Sequence, residues 1–295
     1  MSHDFAQALD QVAADVNAEL DRLIRPTAAP EGRVVDAMRY AVLDGGKRFR
    51  PFLVQASASI FGIDPARSLR VAAAVEMVHC YSLIHDDLPA MDNDDLRRGR
   101  PTVHKKYDEA TAILAGDALL TLAFEVLAAP ETHPHADTRA ALVLALARAA
   151  GAAGMVGGQM IDLQAEHIAL DVDGLTHLQE LKTGHLIAFA AAAGAILAGD
   201  QAAERTLHRY GLDVGLAFQV TDDLLDVEGN AAATGKATGK DAASGKATFV
   251  SRLGVEGAKN LARSLIERAQ AAVAVLGPKA DLLRQAASFV LTRKS

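Results

Sequence analysis

Two acidic clusters carry the strongest chemical signal in this chain: Asp86-Asp87-Leu88-Pro89-Ala90-Met91-Asp92 and Asp222-Asp223-Leu224-Leu225-Asp226. Each closes a strongly apolar stretch that reads as a helix. At about 100° per residue, Gln219, Asp222, Asp223 and Asp226 share one helical face, because their offsets are three, four and seven. Three carboxylates on one side of a helix repel each other, and beside an apolar stretch that repulsion calls for a cation. An all-oxygen set suits Mg²⁺, which keeps several waters and takes one or two carboxylates together with substrate phosphates. The competing reading is a solvated acidic helix end, the usual fate of a charge run. Two similar clusters, each on an apolar helix, put the metal ahead. In the first cluster Pro89 cannot continue the helix, so a kink must bring Asp92 back. His79 lies two turns before Asp86 on the same face; alone it reads more readily as a hydrogen-bonded core histidine.

Basic residues bunch at Lys47, Arg48 and Arg50, after Gly45-Gly46, and at Arg97, Arg98 and Arg100. Arginine recognises phosphate through two parallel hydrogen bonds, and cations near a carboxylate–metal cluster imply a ligand with several negative charges. A diphosphate fits. The alternative is solubilising surface charge paired with Asp94 and Asp95. Other motif readings fail: an EF-hand begun at Asp92 has Arg97 where Gly is needed, and the Gly-Lys pairs after residue 229 lack the rest of a P-loop. No Ser-His-Asp arrangement is evident, and Cys80 sits among apolar residues with nothing to activate it, so covalent catalysis is not expected.

The elements that must hold these groups are helical. Phe5, Leu9, Val12, Val16, Leu20 and Leu23 recur at steps of three and four. A second helix precedes Gly45-Gly46, and a third runs from about Pro51 to Gly62. Asp64-Pro65 is an N-cap followed by Pro at the first helical position, opening a long helix to about Asp87. Further helices are expected over about Asp108–Leu127, Asp137–Met155, Leu175–Leu197, Gln201–Asp226 and Val255–Leu276, with one more near the C-terminus. No segment shows the period-two alternation of a strand. The Gly-, Ser-, Thr- and Lys-rich stretch from Gly229 to Thr248 reads as a mobile functional loop rather than a domain linker. The expectation is an all-α fold with residues 1–295 forming a single domain.

Composition agrees. Of 295 residues, 50% are hydrophobic and 4% aromatic, so the core must be built from Ala, Leu, Val and Ile, and disorder is excluded. The net charge of −7 opposes a phosphodiester backbone, and no nucleic-acid role is expected. One cysteine, Cys80, fits a reducing cytoplasm. The first 23 residues carry acids from Asp4 onward and read as a helix, not a signal peptide. The longest uninterrupted apolar run, Leu186 to Gly199, has 14 residues, so no transmembrane segment is expected.

Taken in order, Gly45-Gly46-Lys47-Arg48-Phe49-Arg50-Pro51, Asp86 to Thr102, Gly157-Gly158-Gln159, Lys182-Thr183-Gly184 and Gln219 to Asp226 make the chain resemble the trans-isoprenyl diphosphate synthases, most closely the bacterial farnesyl diphosphate branch. The resemblance implies an isoprenoid synthase-type helical bundle around a deep central cavity, a homodimer, and an aspartate motif on either side of the cavity mouth. It implies that Asp86, Asp87 and Asp92, with Asp222, Asp223 and Asp226, bind three Mg²⁺ bridging an allylic diphosphate. Arg97, Lys182 and Lys236 would hold that diphosphate, and Lys47, Arg50, His79 and Arg98 that of isopentenyl diphosphate. Thr183 and Gln219 would lie beside the reacting carbons, and Lys246 matches a second loop lysine. Tyr81, with the extra pair Pro89-Ala90, matches the pattern that stops growth at fifteen carbons. The activity implied is condensation of isopentenyl diphosphate with dimethylallyl and geranyl diphosphates to farnesyl diphosphate. The rivals are a geranylgeranyl diphosphate synthase, a terpene cyclase and a non-catalytic synthase subunit; Lys47, Arg50 and His79 speak against the cyclase, and two intact acidic clusters against the subunit.

Overall fold

The structure is a computed structural model that describes residues 3–43, 45–165, 170–228 and 247–293. Its helices are α1 (His3–Leu23), α2 (Gly32–Val42), α3 (Phe49–Ile60), α4 (Pro65–Asp86), the short α5 (Val103–Lys106), α6 (Glu109–Ala128), α7 (Ala136–Ala150), α8 (Met155–Gln164), α9 (Val172–Gln179), α10 (His185–Ala198), α11 (Gln201–Glu228), α12 (Phe249–Val273) and α13 (Asp281–Thr292). The Asp64 carboxylate accepts from the Ala66 amide at 2.9 Å, so the expected N-cap of α4 is in place. Asp108 caps α6 in the same way, through the Thr111 amide at 2.6 Å.

The centre is formed by α3, α4, α10 and α11, with α6 flanking α4 and α12 flanking α11. Every residue from Leu186 to Leu197 in α10 is buried, which accounts for that uninterrupted apolar run. Leu, Val, Ile and Ala dominate the interior; Phe5 stacks edge-on against Phe52 at 5.0 Å to close one end.

Four features depart from the sequence reading. A two-residue hairpin exists, β1 (Leu96–Arg97) and β2 (Arg100–Pro101), too short to leave a periodic signature. The helix expected from Asp137 to Met155 breaks at Gly151, and α8, not expected at all, starts at Met155. The expected Leu175–Leu197 helix is interrupted by a π-helical turn over Glu180–Gly184. Finally, Glu109–Ala128, Ala136–Gln164 and Val172–Ala198 are each long and apolar enough to cross a membrane. An uninterrupted-run criterion missed them because a spanning-length helix tolerates an occasional polar residue. In the last of the three the apolar window is 78% buried inside the bundle; in the other two only 44% and 33% is buried. The expected loop at residues 229–246, with Lys236 and Lys246, lies outside the described residues.

Candidate active site

The first acidic cluster forms where α4 ends. After Pro89 the chain folds back, the Asp92 amide donating to the Asp86 carbonyl at 2.8 Å and the Asn93 amide to the Leu88 carbonyl at 3.1 Å. Asn93 adopts a φ of 51°, which an Asn tolerates better than most residues. This turn is the kink that the proline required, and it returns Asp92 beside Asp86. Burial pushes the Asp86 carboxyl up to about 6; Lys182 and Arg97 work against that rise, while Asp92 and Asp87 add to it. Asp87 faces the other way. It is buried, and Arg97 grips it with Nε at 2.8 Å from Oδ1 and 3.0 Å from Oδ2 and with Nη2 at 2.7 Å from Oδ1.

The hairpin turns through Arg98 (φ 52°) and Gly99 (φ 77°), both in the left-handed region favoured by a two-residue hairpin turn. The Tyr40 hydroxyl donates to the Pro101 carbonyl at 2.7 Å, and the Arg100 guanidinium covers the Tyr40 ring at 4.4 Å, which fastens the hairpin to α2. Arg98 is thereby carried onto the Gly45-Gly46 turn, where Nη1 donates to the Gly45 carbonyl at 2.8 Å. A Cβ on Gly46 would stand 2.8 Å from that guanidinium, and its φ of 98° also suits glycine alone. The two basic clusters of the sequence are thus one cluster in space.

Within that cluster Arg50 is half-buried, and its Nε is inaccessible to solvent and without a hydrogen-bond partner. Burial lowers the pKa of Arg50, partly offset by Glu76 and Asp222. Burial, Arg50 and Arg98, in that order, hold His79 well below the usual histidine range, so it is neutral at physiological pH. Lys47 stands at the exposed edge. Arg48 does not belong to the site. Its side chain is fully buried, paired with Glu76 at 2.5 Å and bonded to Asn17 at 2.7 and 3.0 Å, and it locks α3 to α1 and α4. A run of basic residues hides that split, because alternate side chains leave the turn in different directions. Cys80, with its thiol pushed up to about 12 by burial, is inert, as the sequence implied.

Lys182 and Thr183 lie on the π-helical turn. Lys182 Nζ donates to the Asp162 carboxylate of α8 at 2.6 Å, and Thr183 is buried. A Cβ on Gly158 would fall 2.2 Å from the Lys182 amide nitrogen, so only glycine lets α8 approach this turn. π-Helical turns recur at functional sites because they re-aim side chains out of the regular helical register.

The second cluster ends α11. Asp222 is paired with Arg293 at 2.7 Å. Asp223 accepts from the Phe249 amide at the start of α12 at 2.7 Å through one carboxylate oxygen. Gln219 and Asp226 are half-buried on α11. Tyr81, one turn deeper than the first cluster on α4, is 6% exposed and packs edge-on against His85 at 5.8 Å. Burial and Asp86 push its hydroxyl up to about 12.

Among the described residues no three His, Cys, Asp or Glu side chains converge into a closed metal cage. Mg²⁺ does not need a closed protein cage, since it takes one or two carboxylates while phosphates and water complete its shell. The Asp86 carboxyl, raised by burial and by the nearby Asp92 and Asp87, fits such a cation. The unpartnered Arg50 Nε fits an anion. Two residues of this region escaped sequence reasoning. Asp162 had a signal, lying three residues after Gln159 and hence near the same helical face; Arg293 had none, since one arginine near other polar residues looks like surface charge.

An all-helical bundle with paired acidic clusters, a shared cationic pocket and a lysine on a π-turn defines a class of proteins that handle diphosphates. The chain belongs to the polyprenyl synthetase family, whose model matches residues 31–278. It is 45% identical over 296 residues, 98% of this chain and 99% of the relative, to the farnesyl diphosphate synthase of Escherichia coli strain K12. Among solved structures it resembles an FPP/GFPP synthase from Zymomonas mobilis, with a TM-score of 0.90 and 44% identity over 99% of this chain and 100% of that one. A geranyltransferase from Helicobacter pylori complexed with magnesium and isoprenyl diphosphate matches with a TM-score of 0.85 and 34% identity, covering 99% and 98% of the two chains.

Proposed function

We propose that the protein is a prenyltransferase that condenses isopentenyl diphosphate with dimethylallyl and then geranyl diphosphate, releasing farnesyl diphosphate. The observation that carries this reading is the joining of Arg98 to the Gly45-Gly46 turn, which brings the charges of Arg50 and Arg98 together beside the neutral His79, while Lys182 acts on Asp86 in a second place. A two-substrate condensation of diphosphates needs two such places; a cyclase needs one. The full-length similarity to farnesyl diphosphate synthases supports the product.

Magnesium fits the acidic clusters, and a count of three ions agrees with the resemblance. When bound, the metal supplies Lewis-acid stabilisation of the departing pyrophosphate. Asp86, Asp92 and Asp222 are its direct carboxylate ligands in this reading, with Asp226 alongside. Asp87 and Asp223 complete the set, Asp87 also fixing Arg97 and Asp223 the start of α12. Lys182 and Arg97 add positive charge where the allylic oxygens become anionic, which favours the transition state over the substrate. Lys236 takes the same role and Lys246 assists. The allylic carbon–oxygen bond breaks with its electron pair going to pyrophosphate. The alkene of isopentenyl diphosphate, aligned by Lys47, Arg50, His79 and Arg98, attacks the allylic carbon. Loss of a proton to the released pyrophosphate then sets the new double bond. Thr183 and Gln219 line the reacting carbons, and no protein base is required. Tyr81 limits the growing chain at fifteen carbons.

Residues 1–295 act as one domain, and the enzyme works as a cytoplasmic homodimer. The support for a dimer is the apolar surface left by α6, α7 and α8, where Ile113, Leu114, Leu144, Val156 and Met160 are all exposed; a second copy covers it better than water does. Incubation with Mg²⁺, labelled isopentenyl diphosphate and each allylic primer in turn, followed by product sizing, tests the proposal. Fifteen carbons from the dimethylallyl and geranyl primers is the expected result. Twenty carbons favours the geranylgeranyl rival, a cyclic hydrocarbon the cyclase, and no product a non-catalytic subunit.

A further inference from the structure

Arg293, just beyond α13, reaches into the second acidic cluster. Its backbone is extended (φ −64°, ψ 149°), which points the side chain away from the helix and across α11. Nη2 donates both to Asp222 Oδ1 at 2.7 Å and to the Phe218 carbonyl at 2.8 Å, one helical turn earlier. The guanidinium carbon lies 3.5 Å over the Phe218 ring. The side chain is only 4% exposed, whereas that of Asp222 is 45% exposed. The Nε is buried and has no partner.

These facts describe a cation held in a poor compromise. A desolvated guanidinium is stable only when its donors and charge are met, and here one buried donor is unmet. Among the described residues the carboxylate that compensates it is Asp222, which the proposed function gives to a divalent metal. A Mg²⁺ on Asp222 would stand within a few ångströms of the guanidinium, and two cations at that separation oppose each other. Lys47 adds to the opposition, since Arg293 and Asp222 both act on its charge from nearby.

We propose that Arg293 is the resident counter-cation of Asp222, neutralising the second acidic cluster in the metal-free enzyme and competing with the divalent ion that binds there. The proposal rests on the metal role assigned to Asp222. Metal uptake at this cluster therefore includes release of Arg293 from Asp222 and from the Phe218 carbonyl. Arginine suits the post because its planar guanidinium stacks over the Phe218 ring while Nη2 reaches both acceptors, and an ammonium lacks that stacking plane.

The test measures Mn²⁺ binding by the full chain with inorganic pyrophosphate, following free Mn²⁺ by electron paramagnetic resonance. The wild type is compared with Arg293→Ala and Arg293→Lys, each checked for unaltered helicity by circular dichroism. Removing a competing ion pair of ordinary strength should tighten the weakest Mn²⁺ site about fivefold in Arg293→Ala. Arg293→Lys, which keeps the charge but not the stacking on Phe218, should fall between. In an Asp222→Asn background Arg293→Ala should change nothing further. Equal affinity in wild type and both variants overturns the proposal alone, and weaker binding without Arg293 overturns it by making the arginine a helper of the metal. If even the wild type takes up no Mn²⁺ with pyrophosphate, the metal reading of the cluster falls first and the proposal with it. Should Arg293→Ala fail to fold, the position of Arg293→Lys relative to wild type decides.

Discussion

Asp87 and Arg97 are joined by a two-point ion pair, three nitrogen–oxygen contacts of 2.7 to 3.0 Å, while Asp86, the adjacent residue, faces Lys182 and Asp92. Neighbours on a helix diverge by about 100°, so the two adjacent aspartates meet different partners. Asp87 holds Arg97 at the hairpin, and Asp86 is the carboxylate that burial raises to about 6.

Asp87→Asn keeps the shape but strands Arg97, whose side chain is 21% exposed. The expected loss of stability is about 2–3 kcal/mol, somewhat less than for a fully buried pair, read by urea denaturation. Arg97→Ala should lose a similar amount, and the double variant less than the sum. Additive losses would mean that the pair contributes no coupling.

Asp86 makes a prediction about pH. Its folded carboxyl titrates near 6, above its ordinary 3.8, so its ionised form is disfavoured by folding. In metal-free enzyme, stability should therefore rise as pH falls from about 7 toward 4 on account of this group, the reverse of a salt-bridged aspartate. Asp86→Asn should have a higher Tm than wild type at pH 7.5, with the gap narrowing below pH 6 and closing near pH 4. The same variant should be nearly inactive, and the wild-type metal affinity should fall as pH drops through 6. A lower Tm for Asp86→Asn at pH 7.5 would remove the electrostatic account of this site.

Much of this arrangement was legible in the sequence. The α4 and α11 stripes, the Asp64-Pro65 cap and the Pro89 kink follow from spacing and residue type, and they deliver the two acidic clusters to helix ends. The rest depends on contacts distant in the chain. Nothing local in Glu180–Gly184 announces a π-turn, and the elements packed against it, α8 and α11, are distant in the chain. Arg48 and Arg50 are two residues apart and chemically alike, yet Glu76, 28 residues beyond Arg48, takes one of them out of the site. Asp223 shares helical spacing with Asp222 and Asp226, but the start of α12 also engages one of its carboxylate oxygens.

Gly158 yields a test of the α8 contact. A methyl group there would meet the Lys182 amide nitrogen at 2.2 Å, and the backbone, not a flexible side-chain tip, must yield. Gly158→Ala should move Lys182 off Asp162 and raise the KM for the allylic diphosphate several-fold, with a smaller change for isopentenyl diphosphate. Equal increases for both substrates would show that Lys182 does not discriminate between them.

Tyr81 governs product length in this account. Replacing it with Ala or Ser removes a ring that is 6% exposed, opening space along α4 one turn below Asp86. The product should shift from fifteen carbons to twenty or more, with farnesyl diphosphate becoming a usable primer, at a stability loss of about 3–4 kcal/mol. A folded, active variant with an unchanged product would reject Tyr81 as the stop.

In the proposed reaction two acidic clusters and two cationic places together perform a metal-dependent head-to-tail condensation. It is tested most directly by the rate at which labelled isopentenyl diphosphate enters geranyl diphosphate, with Mg²⁺ and then with excess EDTA. The account predicts a fifteen-carbon diphosphate with Mg²⁺ and none with the chelator; undiminished turnover in EDTA, or a product containing no label from isopentenyl diphosphate, would contradict it.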